Sequence, residues 1–285
     1  MRSLNISKRT PFSYGLTVCS IVAAILLAGC KSGDADGEAD ATAARSDQQT
    51  AAGVEQTAGT ASHKSGEVAD ARSNLQTLQH LLSTDDPAFL SRQDLISGHL
   101  LVSRRLLEQG HVAAATLHLE HPTDELYSQI EGAISSRDLH GFAAELQSVS
   151  AAIEAATDVE QAYRDLQQAI ANHSTAISNS HDDTSMLQRI THLLRSAADA
   201  YASGVVAGEV SNLHDYQTAW GHTEFAGQLL DSVSDSAVRE QAAALLDDLR
   251  PLWPGLLPPQ QVSGDAAQIY GAAARMEYLT SGMDD

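Results

Sequence analysis

From Asn74 to Leu279 the large apolar residues fall three or four positions apart, and strand-like alternation is nearly absent. That spacing places them along one face of a 3.6-residue helix, so it constrains the chain more than any other feature. Leu75, Leu78 and Leu82 mark a first short helix. Asp86-Pro87 reads as an N-cap followed by proline at the first helical position. The helix it opens carries Phe89, Ile96, Leu100 and Leu107 and ends at Gly110. A second runs from His111 to about Glu120 and is expected to stop at His121-Pro122, because the residue before proline avoids the helical region. Pro122, Thr123, Asp124 and Glu125 then supply a first turn with acids at the positive end of the helix dipole. Further helices follow over 139–156, from the Asp158 cap, over 187–201, over 213–230, over 236–250 and over 265–279, with a polar loop over 172–183. The expected fold class is all-α, an antiparallel helical bundle or short helical solenoid, occupying residues 74–285.

Residues 1–29 have a different character. Arg2, Lys8 and Arg9 precede an apolar run from Gly15 to Ala28, the pattern of a secretory leader and too short for a comfortable transmembrane helix. The run ends in Leu27-Ala28-Gly29-Cys30, which resembles a bacterial lipobox. The resemblance implies cleavage before Cys30 and lipid on that cysteine; the plainer alternative is an ordinary leader beside an incidental cysteine. Lys31 resembles the outer-membrane class of such proteins, facing the periplasm of a bacterial cell envelope. The domain then contains no cysteine, which excludes disulfides, thiol nucleophiles and thiolate metal sites. Residues 30–73 are rich in Ala, Gly, Ser, Thr and acids, with Val54 and Val68 as the only large aliphatics. Such a segment reads as a tether with an average reach of ~30–40 Å.

The whole chain has a net charge of −20, which becomes −23 once the three basic residues of the leader are gone. That disfavours nucleic acid as a partner. Partners compatible with the sequence are the membrane through the lipid anchor, a metal ion and an envelope protein.

One stretch concentrates chemistry. His118 and His121 lie three apart at a helix end, Glu125 follows one turn later, and His99 sits on the apolar face of the preceding helix. Imidazoles with a carboxylate form a reasonable set for a transition metal ion, and a helical hairpin brings His99 against the others. The bland alternative is a set of histidines that pack and cap. No Gly-x-Ser-x-Gly, Walker loop or His-Glu-x-x-His is present, so no enzymatic activity is expected.

A second stretch carries a resemblance. Tyr201, Gly204-Val205, Gly208 and Val210, then Asn212 and Asp215-Tyr216, form a pattern similar to the helical extracytoplasmic domain of bacterial iron permeases. The pattern is distantly similar to imelysin-like periplasmic proteins as well. The permeases' Arg-Glu-x-x-Glu motif is missing, since Arg239-Glu240 is followed by Gln-Ala-Ala, and the imelysin His-x-x-Glu is missing at His121. The resemblance therefore implies helical architecture and an iron-uptake neighbourhood, without an inherited active site. The expected function is a lipid-anchored, metal-handling or ligand-binding accessory. The alternative is a helical scaffold that binds protein partners without metal.

Overall fold

The computed structural model describes residues 73–177 and 182–283; the leader, Cys30 and the tether lie outside the described residues. Among the described residues the fold is all-α apart from one two-stranded hairpin. Helix α1 covers 73–84. It is followed by α2 (Asp86–Glu108), α3 (Val112–His121), a π-helical turn (Pro122–Leu126), α4 (Tyr127–Ser136), α5 (Ala143–Glu154) and α6 (Val159–Ala176). The second half holds α7 (Asp183–Gly204), β1 (Val205–Val206), β2 (Glu209–Val210), α8 (Leu213–Leu230), α9 (Ser236–Asp247) and α10 (Ala266–Ser281). Among the described residues no helix is long and apolar enough to cross a membrane.

Helix starts follow their caps. The Asp158 side chain accepts from the Gln161 N–H at 3.0 Å. Asp265 forms a capping box with Gln268. At α2 the cap is Asp85, which accepts from the Ala88 N–H at 2.7 Å, one residue earlier than the Asp-Pro pattern suggests. Asp86 and Pro87 then occupy the first turn, where a missing N–H costs nothing.

Pro122 does not end its helix. His121 keeps helical dihedrals (φ −60°, ψ −49°), and the chain runs through a π-helical turn directly into α4. The wider turn accommodates a ring that would clash with the preceding carbonyl in a regular helix. The Tyr127 N–H reaches back five residues to the Pro122 carbonyl.

α7 is the central staple, packed along both α8 and α10, while α2 lies across α7 and α8. Its buried face is Leu187, Ile190, Leu194, Ala197 and Tyr201, at the helical spacing seen in the sequence. Each large aliphatic buried this way contributes about 1.5–3 kcal/mol. α2 presents Phe89, Ile96 and Leu100 to the same core region, while Val102 and Leu106 pack with Ala115 and Leu256 in a second cluster. α7 ends in a tight hairpin, in which Ala207 and Gly208 both take positive φ (53° and 80°) and reverse the chain between β1 and β2.

Candidate metal centre

Where α2 crosses α8, two Gly-His pairs meet. Gly98-His99 on α2 faces Gly221-His222 on α8. A Cβ at Gly221 would stand 2.4 Å from Val102 Cγ2 and 2.5 Å from the Gly98 carbonyl oxygen. A Cβ at Gly98 would stand 2.5 Å from Cδ2 of His222. The two glycines let the helix backbones touch, and their neighbouring histidines are thereby brought ring to ring.

The result is a cluster of five imidazoles. His99 sits at its centre, with ring centres of His118, His121, His214 and His222 at 5.5, 5.0, 5.9 and 5.3 Å. His118 and His214 stack at 4.2 Å. One ring nitrogen from each of His99, His118 and His214 lies within 4.8 Å of the others. Three elements supply them: α2 gives His99, α3 gives His118, and α8 gives His214. His99, His118 and His222 are buried, whereas His121 and His214 are partly exposed and form the mouth.

Gln217 fixes the chemistry of His118. The Gln217 amide nitrogen donates to the Leu256 carbonyl at 2.9 Å, and that carbonyl can only accept. Its side-chain oxygen must therefore face His118 Nε2, 3.0 Å away, and His118 must carry its proton there. The lone pair of His118 is left on Nδ1, which points at His99 Nδ1 at 3.3 Å. That separation is long for a hydrogen bond. It matches the edge of a tetrahedral site, since two nitrogens at ~2.0–2.1 Å from one ion stand about 3.3 Å apart. An outer partner that fixes tautomer and ring orientation is the usual support of a metal-ligating histidine.

The electrostatics favour the neutral form of His99, His118, His214 and His222. Burial pushes His118 down to about 3, with the nearby His214 acting in the same direction and the Gln217 bond opposing it. Burial likewise takes His222 to about 3. His99 is held well below the imidazole range by burial and then by His222, His118, His121 and His214. His214 is also lowered, by burial first. Neutral imidazoles need no deprotonation before binding a cation.

The structure brings His99, His118 and His121 of the sequence-predicted set together. Glu125 stands behind His121, its Oε2 3.3 Å from His121 Nδ1 and its side chain mostly in solvent. It is thus placed to orient His121, whose ring lies 5.0 Å from that of His99. Tyr201, Gly204, Gly208, Asp215 and Tyr216 form a separate structural group at the α7–α8 junction. Asp215 accepts from Ser203 Oγ at 2.5 Å and from Asn212 Nδ2 at 2.8 Å, and the Tyr216 hydroxyl donates to the Gly255 carbonyl at 2.9 Å. This junction starts α8 and so sets the position of His214. His214, Gln217 and His222 escaped the sequence reading, although His214 and Gln217 lie three apart on one helix face and the repeated Gly-His dipeptide was visible.

Gly221→Ala should cost about 1–3 kcal/mol through the Val102 and Gly98 clashes. Thermal melts should fall by roughly 2–4 °C for each kcal/mol. An unchanged melt would mean that the crossing is looser than these distances.

Residues 178–283 match the iron permease-associated 4-helix bundle domain family. The matched segment contains α7, α8, α9 and α10, so His214, Gln217 and His222 fall inside it, while His99 and His118 come from helices before it. The imelysin-like side of the resemblance has no support among these matches. No curated protein and no solved structure matches the chain.

Proposed function

We propose that this is a lipid-anchored protein of the bacterial cell envelope that binds a transition metal ion at His99, His118 and His214 as a non-enzymatic accessory to iron uptake. The observation that carries the reading is the convergence of three imidazole nitrogens within 4.8 Å, one of them with its tautomer fixed by Gln217. The family match over residues 178–283 supports the iron-uptake setting. The leader and Cys30 support the anchor, with the acylated chain on the outer membrane facing the periplasm. His121, paired with Glu125 at the mouth, hands ions inward.

A divalent ion at a hundredfold excess over its Kd should stabilise the fold by about 2.7 kcal/mol. For a domain of this size that is a rise in Tm of roughly 5–10 °C. His118→Ala should abolish the rise, and Gln217→Leu should weaken binding by about 10–100-fold through loss of the orienting bond. Thermal melts with copper, zinc and ferrous ions, each against a chelator control, check both. If no ion raises the wild-type Tm, the histidines are packing groups and the protein is a helical scaffold for envelope partners. The anchor is tested separately: Cys30→Ser should shift the chain from the detergent phase to the aqueous phase on partitioning, and retention in detergent would refute it.

A further inference from the structure

His222 belongs to the cluster without belonging to its three-ligand set. It lies eight residues after His214, about two turns further along the same face of α8. It is 2 % exposed, and neither Nδ1 nor Nε2 makes a hydrogen bond of normal geometry; the Leu95 carbonyl on α2 lies near enough to oppose the effect of burial without completing one. A neutral imidazole has one donor and one acceptor, and leaving a buried polar group unpaired costs about 1–3 kcal/mol. An aliphatic residue would fill this place without that cost. His222 is also held edge-on against His99, in the space that the missing side chain of Gly98 leaves. Two imidazoles on one tetrahedral ion put their ring centres about 5 Å apart. The His99–His222 separation of 5.3 Å meets that distance.

The ligand set is also uncharged. The nearby carboxylates stand outside its ligand set: Glu125 contacts His121 from the solvent side, Asp215 is engaged by Ser203 and Asn212, and Glu120 is exposed, so that Asp215 and Glu120 act on His214 through their charge alone. An ion entering the cluster keeps its full charge in a buried site. The desolvation cost grows with the square of that charge, so a trivalent ion loses roughly twice what a divalent one does. Hard ferric iron would also find no anionic oxygen here. Imidazole suits borderline divalent ions, with copper(II) the tightest of the first row.

We propose that His222 closes a four-imidazole site with His99, His118 and His214, and that the site takes a divalent borderline cation, copper(II) foremost, and refuses ferric iron. The proposal rests on the metal-binding reading above and adds to it the inner ligand and the charge of the cargo.

The test is titration of the purified full-length chain with copper(II), zinc(II) and ferric citrate, together with electron paramagnetic resonance of the copper(II) form. Copper should bind tightest, zinc should compete with it, and ferric citrate should leave the protein unmetallated. Nitrogen couplings should report four imidazoles. His222→Ala should lower copper affinity at least tenfold and remove one nitrogen from the spectrum. His222→Leu serves the same purpose if the alanine variant does not fold. His80→Ala, at an exposed position on α1, should keep the four-nitrogen spectrum. Ferric iron binding as tightly as copper, or His222 variants with wild-type affinity and spectra, would overturn the proposal and leave the three-histidine site standing. Binding of no ion at all would overturn both.

Discussion

Acidifying the metal-free protein from pH 7 to pH 5 should remove about 4 kcal/mol of stability through His118 and His222 alone. Each imidazole takes up a proton near 6.5 in the unfolded chain, but only near about 3 in the folded one. Between those values the unfolded state binds more protons, so stability rises with pH and is lost as pH falls below 6.5. At pH 5 the gap is about 1.5 pH units, or about 2 kcal/mol for each residue. His99 and His214 are lowered too and act in the same direction. Domains of this kind are stable by about 5–15 kcal/mol, so the loss is a large share of the whole. Urea unfolding followed by circular dichroism at pH 7, 6 and 5 measures it. His222→Leu should lose about 2 kcal/mol less over the same interval, because it removes one of the two groups. A flat profile from pH 7 to 5 would show that the histidines take up protons within the folded state. The cluster would then be open to water, contrary to its burial. A bound metal ion should raise stability at pH 7 and leave as the protons arrive, since protons and metal compete for the same lone pairs.

The sequence made the helices legible because their signals are local. Asp158 and Asp265 cap where an acid precedes an apolar-periodic run, and Leu187 to Tyr201 face inward as their spacing requires. Pro122 was misread for the opposite reason. Whether a proline stops a helix or is absorbed in a π-helical turn depends on what packs around it, and here Leu119 and Leu126 are buried on either side. The absorbed turn keeps His121 and Glu125 in i,i+4 contact on one continuous helix.

The candidate site was half legible. His99, His118 and His121 lie within one short stretch, and a hairpin brings them together. His214 and His222 lie about a hundred residues further on, and no local rule connects them to His99. Their arrival depends on α8 crossing α2 at the paired glycines, a tertiary event. The acid-tyrosine pair Asp215-Tyr216, which carried the resemblance, proved to be the brace beside His214.

Asp94→Ala should destabilise the protein by about 3–5 kcal/mol, the usual cost of removing one partner of a buried ion pair. Asp94 on α2 and Arg189 on α7 are each 4 % exposed and meet in a two-pronged contact at 2.7 and 2.8 Å. Burial pushes the Asp94 carboxyl up, and Arg189 opposes it by charge and by hydrogen bonding. The planar guanidinium makes two parallel bonds, which fixes orientation as well as distance. Because Asp94 lies five residues before His99, the pair pins the part of α2 that delivers the central histidine. Replacing both residues, as Asp94→Leu with Arg189→Met, removes the uncompensated charge and should cost less than Asp94→Ala alone. Chemical denaturation of the two single variants and the double variant measures the coupling. The pair is a clamp and not part of the cation site, so the Asp94→Ala protein, while folded, should still gain stability from a divalent ion. If that gain vanished along with the ion pair, α2 would be held in register by Asp94 and Arg189 more than by the glycine crossing.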